Sequence, residues 1–352
     1  MNKKDIEKLI LKTAYNMTEL SNKTLDETCP IGIIDFGNWE WAQGVGLYGL
    51  YKYYETSGDE KMLRLICDWF DKNIEKGIPE KNVNTAAPML TLAFVYEKTK
   101  NEKYLLMIKE WSEWIMNEMP RTEHGGLQHI VSGMRNDGQM WDDTLFMTVL
   151  FLAKAGVILN KREYIDEAEY QFLIHIKYLA DKKSGLWYHG WSFDGNHNFA
   201  EVFWARGNCW ITAGIPEFFE ITGVGGAVRR YLTDTLSAQA EALLKFRDKS
   251  GMWHTLIDDD DSYLEASATA GFAFGILKAV RLGILDKKFA ETGISAAKAV
   301  AGCIAEDGSV REVSYGTGMS FSADDYRKIP IVPMAYGNAL AILALNEMTY
   351  IL

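Results

Sequence analysis

Two adjacent acids open the stretch Trp141-Asp142-Asp143-Thr144-Leu145-Phe146-Met147-Thr148-Val149-Leu150-Phe151-Leu152-Ala153-Lys154-Ala155, near the middle of the chain. After the acids the run is apolar on every side of a helix, whereas a helix on a protein surface keeps a polar face. The run is also too short to cross a bilayer. The pattern therefore predicts a helix that is buried all round and begins at two acidic groups.

The two acids have two interpretations. Asp is a good N-cap residue, so Asp142 alone would only mark the start of a helix. The first turn of a helix also carries free N–H groups and the positive end of the helix dipole, which stabilise an anion, while the neighbouring Trp141 and Phe146 would desolvate it. Such opposed influences can tune a carboxyl group for acid–base chemistry. With two adjacent acids, one is left over for that role.

The composition predicts a globular protein with a large core. Of its 352 residues, 48% are hydrophobic and 12% aromatic, and the 11 Trp are side chains that fill cores and also line sugar sites. The formal net charge of −11 argues against a nucleic-acid partner, which requires a basic surface. No apolar run reaches the length of a membrane span, so no membrane partner is expected.

The N-terminal segment predicts a cytoplasmic protein, because it opens an amphipathic helix and lacks the apolar core of a signal peptide. The four cysteines, Cys29, Cys67, Cys209 and Cys303, are widely scattered. They form no Cys-x-x-Cys pair, and no His lies at metal-ligand spacing. We therefore expect reduced thiols, no metal and no cofactor.

Apolar and amphipathic helical segments alternate along the chain. Apolar helices are predicted to begin near Trp39, Thr85, Trp141, Trp204, Ser267 and Tyr336. Amphipathic helices are predicted at residues 3–20, 61–73, 104–119, 164–180, 227–246 and 287–304. Short glycine loops recur with the same period, at Gly126, Gly185, Gly251 and Gly308. The repeating unit is therefore a helical hairpin whose turn presents polar side chains at one end.

Six hairpins with the apolar helices inside close naturally into a ring, an (α/α)6 barrel, in which every inner helix is buried on all sides. The alternative, an open stack of hairpins, needs terminal units with polar outer faces. The last helix contains Ala339-Leu340-Ala341-Ile342-Leu343-Ala344-Leu345 and is as apolar as the middle ones. No linker or change of composition divides the chain. We therefore expect an all-α fold in which residues 1–352 form a single (α/α)6 domain.

The starts of the inner helices meet at one face of such a ring, and polar or aromatic exceptions to the apolar pattern converge there. The exceptions are Trp41, Gln43, Asn82, Asn84, His129, Arg135, Asp142, Asp143, His189, Trp204, Arg206, Asn208, Glu265, Tyr336 and Asn338. Any one of them can be a helix cap, a buried histidine with satisfied hydrogen bonds, or a core tryptophan. Together they predict a concave, aromatic-lined pocket with a few convergent polar groups.

Arg206 is the most informative cation, because it stands between two tryptophans at the start of an apolar helix. Its guanidinium could bind a carboxylate with two hydrogen bonds. It could equally form an internal salt bridge, with Glu201, Glu217 or Glu265 as its partner. The sequence leaves both alternatives open.

Four motifs resemble those of the unsaturated glycuronyl hydrolases, and the closer branch is the unsaturated rhamnogalacturonyl hydrolases of pectin breakdown. They are Trp141-Asp142-Asp143-Thr144-Leu145-Phe146-Met147, Trp204-Ala205-Arg206-Gly207-Asn208-Cys209-Trp210, Ser262-Tyr263-Leu264-Glu265-Ala266-Ser267-Ala268 and Pro333-Met334-Ala335-Tyr336-Gly337-Asn338. The resemblance runs from about Trp39 to the C-terminus. It implies an (α/α)6 barrel without metal or organic cofactor, in agreement with the repeat count.

The resemblance also implies a chemistry. Polysaccharide lyases leave a C4=C5 double bond in the uronic acid at the non-reducing end of their products, and this family removes that residue by hydrating the bond. A general acid protonates C4, water adds at C5, and the hemiketal collapses with loss of the glycosidic link. Both the acid and the base role correspond to Asp143, and we expect its apolar surroundings to raise its pKa. The partner is then a small acidic oligosaccharide.

Further positions of the family correspond to residues that would hold the unsaturated sugar. Some members have a second Asp at the start of the second inner helix, where this chain has Asn84, so Asn84 would serve only as a polar contact. Glu265 is the nearest substitute for that acid, although it can also cap its own helix. The residues implied in binding are Trp41, Asn84, His129, His189, Trp204 and Arg206, with Asp142, Arg135, Glu265 and Tyr336 in supporting roles.

Three alternative functions stay open from the sequence. A sister activity on unsaturated glucuronyl residues differs only in the uronic acid and in the sugar beyond the cleaved bond. A sugar epimerase on the same barrel would use histidine acid–base pairs, for which His129, His189 and His254 are candidates. The last alternative is a sugar-binding ring without catalysis. The oligomeric state is left undetermined.

Overall fold

The computed structural model describes residues 1–21 and 34–351, and most of these residues are helical, as predicted. Cys29 lies outside the described residues, whereas Cys67, Cys209 and Cys303 are free thiols. Within the described part of the chain, no helix is both long enough and apolar enough to span a membrane. The α-helices are α1 (Lys3–Thr18), α2 (Trp41–Ser57), α3 (Glu60–Lys76), α4 (Val83–Thr99), α5 (Glu102–Asn117), α6 (Leu150–Leu159), α7 (Arg162–Leu179), α8 (Ala205–Thr222), α9 (Gly226–Phe246), α10 (Ala266–Arg281), α11 (Ala290–Cys303), α12 (Ala323–Arg327) and α13 (Ala335–Ile351).

Six of these helices form a closed inner ring, which consists of α2, α4, α6, α8, α10 and α13. Each packs against the next one along the chain, and α13 packs against α2. The predicted (α/α)6 barrel is therefore confirmed, and the apolar last helix closes the ring instead of capping an open stack. These helices begin within a few residues of the predicted positions.

The amphipathic helices α1, α3, α5, α7, α9 and α11 lie outside the ring. Each covers one or two inner helices, and α1 packs against α13. On α3, for example, Met62, Ile66, Trp69 and Phe70 are buried and recur at helical spacing, while the opposite face is charged. A layer of half-buried helices therefore completes the burial of the inner ring.

Close approach of the inner helices depends on glycines. A Cβ atom added to Gly275 on α10 would lie 2.2 Å from the Thr212 carbonyl oxygen of α8, and one added to Gly44 would lie 2.6 Å from the backbone nitrogen of Pro88 on α4. Both distances are far shorter than a van der Waals contact, so these positions admit no side chain unless the helices move apart.

The predicted glycine loops are tight turns in which a glycine with positive φ donates its N–H to a carbonyl three or four residues back. The pairs are Gly125 with Thr122, Gly185 with Asp181, Gly251 with Asp248, and Gly308 with Ala305. In the first loop the glycine with positive φ is Gly125, and the next residue, Gly126, packs against the Met140 side chain.

The third inner helix differs from a regular α-helix at its start. Helical geometry begins at Asp143, and a π-helical turn, Leu145–Val149, precedes α6. The N–H of Leu150 donates to the carbonyl of Leu145, five residues back. The sequence predicted the buried helix but not the wider turn. Turns of this kind are frequent at functional sites.

Buried charges occupy the other end of the barrel, towards the C-termini of the inner helices. Lys278 is buried and contacts Glu217 and Glu220, and Lys154 bonds Glu97 at 2.7 Å. Cations there face the negative ends of the helix dipoles. The two ends of the barrel therefore differ in chemistry.

We predict that Gly275→Ala destabilises the protein by about 1–3 kcal/mol or more, because the new methyl group must push α10 away from α8. Gly302→Ala is the matched control, since Gly302 lies in α11 with no other atom near a built Cβ. That change should be neutral or stabilising by up to about 1 kcal/mol. Thermal unfolding of both variants tests the prediction, and equal melting temperatures would contradict it.

Candidate active site

A narrow pocket opens at the starts of the inner helices, on the face predicted from the sequence. Its walls are largely aromatic, with a few polar groups between them. The lining residues are Trp41, Asn84, His129, Val131, Trp141, Asp143, Met147, Trp204, Arg206 and Thr317. Six of the predicted site residues therefore meet in one cavity, and a seventh, His189, contacts Asp143 from behind.

Asp143 is the only carboxylic acid among these lining residues. Its side chain is 15% exposed, and its Oδ2 lies 3.2 Å from Nε2 of His189. Burial acts to raise the pKa of Asp143, but the hydrogen bond and charge of His189 outweigh it and lower the pKa to about 2. The expected raised pKa of Asp143 is therefore wrong, because the sequence did not reveal the His189 contact.

Asp142 has the opposite environment. It is fully buried, and neither of its carboxylate oxygens has a hydrogen-bond partner among the described residues. Burial and the neighbouring charge of Asp143 raise the pKa of Asp142 well above its ordinary value. Asp142 precedes the first helical residue, but its side chain makes no capping hydrogen bond, so the predicted N-cap role is not seen. Of the two acids, Asp142 is therefore the one whose environment favours the protonated form.

Gly207 forms the floor under the Asp142 carboxyl group. A Cβ at this position would lie 2.4 Å from Asp142 Oδ2, so only glycine leaves room for the carboxyl group. Gly207 belongs to α8, next to Arg206 in the motif that resembles the family. The position of the Asp142 carboxyl group, at the start of the third inner helix, therefore depends on a glycine of α8.

His189 is fixed by two elements that are distant in sequence. It precedes β2 (Gly190–Ser192), which pairs antiparallel with β1 (Gln139–Trp141), and its carbonyl accepts the N–H of Asp142 at 2.9 Å. Its Nδ1 lies 2.8 Å from the hydroxyl of Tyr326 on α12. In a neutral imidazole, the Tyr326 hydroxyl then donates to Nδ1 and the Nε2–H donates to Asp143. Neither the strand pair nor Tyr326 was predicted.

His129 forms the opposite wall. Its ring stacks on Trp141 with centroids 4.1 Å apart, and its Nδ1 bonds the Thr144 hydroxyl at 2.8 Å. Burial lowers the pKa of His129 to about 3. The imidazole is therefore neutral near pH 7, and its Nε2 is available for a ligand hydroxyl group.

Arg206 is 99% buried under the pocket, and its terminal nitrogens are already engaged. They donate to the Ser314 and Tyr315 carbonyls and to the Thr317 hydroxyl, with Glu265 at 3.9 Å. The guanidinium also stacks between the rings of Trp204 and Tyr336. Of the two predicted alternatives, the structure forms the internal pair with Glu265. Arg206 thus contributes a fixed positive charge to the pocket wall.

Glu265 and Tyr336 support this wall and do not line the pocket. Glu265 caps α10 by accepting the N–H of Ala268, and it also accepts the N–H of Ser314 at 2.8 Å. The Tyr336 hydroxyl donates to the Ser314 carbonyl, and its ring stacks on Trp41 at 4.5 Å. Glu265 is therefore no second acid in the pocket.

Glu40 is a buried acid that the sequence analysis missed. It caps α2, accepts a hydrogen bond from Ser132 at 2.7 Å and interacts with Asn84. Burial raises the pKa of Glu40 above its ordinary value. Its position between Trp39 and Trp41, just before an apolar helix, is a signal that could have revealed it.

Two predicted residues lie away from the pocket. Arg135 is on the surface with its side chain 75% exposed, where it pairs with Asp137. His254 bonds the Ser262 carbonyl and is not among the lining residues. The loop that supplies His129 turns back before Arg135, and polar character alone could not distinguish the two positions.

The donor atoms of Asp142, Asp143 and His189 lie within 4.8 Å of one another, a spacing that could hold a metal ion. Metal binding at these groups would compete with proton binding, because ligands must be deprotonated and burial raises the pKa of Asp142.

The chain is similar to known proteins over most of its length. A family model described as Glycosyl Hydrolase Family 88 matches residues 14–352. The "Unsaturated rhamnogalacturonyl hydrolase YesR" of Bacillus subtilis (strain 168) is 31% identical over 318 residues, which are 90% of this chain and 90% of that protein.

Solved structures share the fold over the whole chain. A possible member of the GH105 family from Salmonella enterica serovar Paratyphi A is 49% identical, with a TM-score of 0.96 over 99% of this chain and 95% of that chain. An unsaturated glucuronyl hydrolase from Bacillus sp. GL1 is 19% identical, with a TM-score of 0.76 over 98% and 96% of the two chains, which shows a common fold alone.

We predict that Asp142→Asn makes stability less dependent on pH. Because the pKa of Asp142 is raised on folding, the native state holds a proton that the unfolded state loses above about pH 4, so wild-type stability falls as the pH rises. The variant should lack this loss, which is at most about 1.4 kcal/mol per pH unit. Unfolding in denaturant at several pH values measures it.

The control is Asp68→Asn, at an exposed position of α3. This variant should keep the wild-type dependence on pH. Identical pH profiles for Asp142→Asn and the wild type would contradict the neutral, buried carboxyl group.

Proposed function

The chain belongs to glycosyl hydrolase family 88 and is therefore a glycoside hydrolase, and we propose that it removes the 4,5-unsaturated galacturonyl residue from the non-reducing end of rhamnogalacturonan fragments. The relative with 31% identity, named for this type of activity, supports the proposal. The substrate is a small acidic oligosaccharide. Membership of the family favours this activity over an epimerase or a sugar-binding ring.

The observation that carries the proposal is the environment of Asp143. It is the one acid among the described lining residues, and it faces a pocket walled by Trp41, Trp141 and Trp204. His189 lies behind it at 3.2 Å. A single carboxyl group with a fixed orientation is sufficient for hydration of a double bond, whereas ordinary glycosidases use two carboxylates at set distances.

In the proposed reaction, Asp143 donates its proton to C4 of the unsaturated sugar, and the positive charge that develops at C5 is shared with the ring oxygen. Water then adds at C5 and returns a proton to Asp143, so that one water is consumed and the acid is regenerated. The resulting hemiketal opens, and the glycosidic link to the leaving sugar breaks. The aromatic walls exclude other water from this step.

Asp143 must carry a proton for the first step, and the contact with His189 opposes this because it lowers the pKa of Asp143. A substrate carboxylate bound beside Asp143 would place two negative charges together, which raises the pKa of Asp143. The raised pKa of Asp142 limits the negative charge that this neighbour adds. Proton uptake would then accompany substrate binding.

We assign binding of the sugar to the residues that form the walls of the pocket around Asp143. Trp41 and Trp204 offer ring faces, while His129 Nε2 and the Asn84 amide can bond hydroxyl groups. Arg206 attracts the uronate through its fixed charge, because its terminal nitrogens are held by Ser314, Tyr315 and Thr317. A cytoplasmic location of the enzyme stays a prediction of the sequence.

The first test measures absorbance of the C4=C5 double bond while the protein acts on lyase-generated fragments in the presence of EDTA. We expect the absorbance to fall with rhamnogalacturonan fragments, because hydration removes the double bond. Fragments that carry an unsaturated glucuronyl residue form the second substrate set. Faster turnover of that set would favour the sister activity, and no decrease with either set would refute both.

We predict that Asp143→Asn lowers kcat by on the order of 10²- to 10⁴-fold, because the amide cannot donate the proton. Asp137→Asn, an exposed position in the loop before β1, is the matched control and should keep the wild-type rate. Calorimetry should show that Asp143→Asn still binds the fragments. Wild-type turnover by Asp143→Asn would exclude it as the acid.

A further inference from the structure

Three aromatic rings from two separate loops contact one another outside the pocket. His197 and Phe199 follow β2, and Phe321 precedes α12. The ring centroids are 5.0 Å apart for His197 and Phe199, 5.5 Å for His197 and Phe321, and 5.2 Å for Phe199 and Phe321. We call these three residues the aromatic triad. None of them is used by the mechanism above.

Phe321 is exposed although its backbone is fixed. Its side chain is 73% exposed, more than any other large hydrophobic side chain among residues 1–21 and 34–351. On one side Ser320 accepts the N–H of Ala200, and on the other Ser322 caps α12. One exposed ring alone is common on protein surfaces, but Phe321 is in contact with two further rings, and contiguous apolar groups of this kind can mark a contact surface.

The loop that carries the other two rings is strained. Phe199, Asn196 and Glu201 all have positive φ, at 57°, 54° and 52°. This conformation is unfavourable for a bulky residue such as Phe, and strain of this kind collects at ligand-binding sites. The loop is nevertheless fixed, because the Asn198 amide donates to the carbonyls of Tyr178 and Gly190.

His197 adds a polar group to the triad. Its Nδ1 accepts the N–H of Phe199 at 3.0 Å, so the proton of the neutral ring lies on Nε2. No group in the described part of the chain bonds to that Nε2. The triad thus combines two apolar ring faces with one free hydrogen-bond donor, a combination suited to a sugar, which has apolar C–H faces and hydroxyl edges.

The triad is linked to the pocket through the segments that carry its rings. Thr317 lines the pocket and lies four residues before Phe321, which limits their separation to about 14 Å. Met319, between them, packs against Gly190, the residue after His189. The Tyr326 hydroxyl that fixes His189 belongs to the same segment. The rings therefore belong to the two segments that hold His189.

We propose that the aromatic triad is an outer subsite for a sugar of the leaving chain, beyond the unit next to the cleaved bond. The proposal rests on the proposed function. The loops around the triad carry exposed charged residues. The acids are Asp194, Glu201, Asp324 and Asp325, and the bases are Arg327 and Lys328. Arg327 is already paired with Asp259 and Asp324. This excess of negative charge disfavours a uronate, so the sugar that stacks here is a neutral one.

The experiment compares a disaccharide with a tetrasaccharide, both ending in the same unsaturated uronate. For Phe321→Ala, we expect the ratio of the tetrasaccharide KM to the disaccharide KM to rise about five- to tenfold over the wild-type ratio, because only the longer chain reaches the triad. Phe321→Tyr keeps the ring and should restore the wild-type ratio.

The matched control is Leu106→Ala, which removes another exposed apolar side chain, on α5. It should leave the ratio unchanged. An unchanged ratio in Phe321→Ala, or an equal rise of both KM values, would overturn the outer subsite while the proposed function stands. Absence of turnover of both substrates by the wild type would instead refute the proposed function, and the subsite with it.

Discussion

Every inner helix of this protein is apolar on all sides and must therefore be covered on all sides. A closed ring of six such helices inside a layer of amphipathic ones meets this requirement, because each inner helix then has two inner neighbours and an outer cover. The glycines at the helix contacts follow from the same constraint, since helices that bury their whole circumference must approach closely. The position of the pocket follows as well, because only the ends of the inner helices remain open to solvent.

The chemistry of the site arises from the small differences in environment that the ring imposes on neighbouring groups. Asp142 and Asp143 are adjacent in sequence, yet one points into the packed interior against Gly207 and the other faces the pocket and His189. Desolvation raises the pKa of the first, and the contact with His189 lowers the pKa of the second. Two like groups thereby acquire different chemical properties, and only Asp143 is among the residues that line the pocket.

Much of the fold could be predicted because it depends on patterns local in sequence. Apolar runs that begin near Trp39, Thr85 and Ser267 fixed the inner helices to within a few residues, and their number fixed the closure. Contacts between distant segments could not be predicted from these local patterns. No local pattern indicated that Tyr326 would orient His189, or that the Ser314 carbonyl would accept a hydrogen bond from Arg206, since both contacts depend on the path of the segment between α11 and α13.

The π-helical turn Leu145–Val149 makes the site sensitive to the length of the chain. This turn contains one residue more than an α-helical turn would need. Deletion of a single residue there would restore the regular α-helix, and the residues before it would rotate by about 100° relative to the rest of α6. The apolar helix would lose little burial, but the Asp143 side chain would leave the pocket. A change of chain length at this turn would therefore affect the chemistry of the site while it leaves the barrel fold intact. A substitution separates the two effects less clearly.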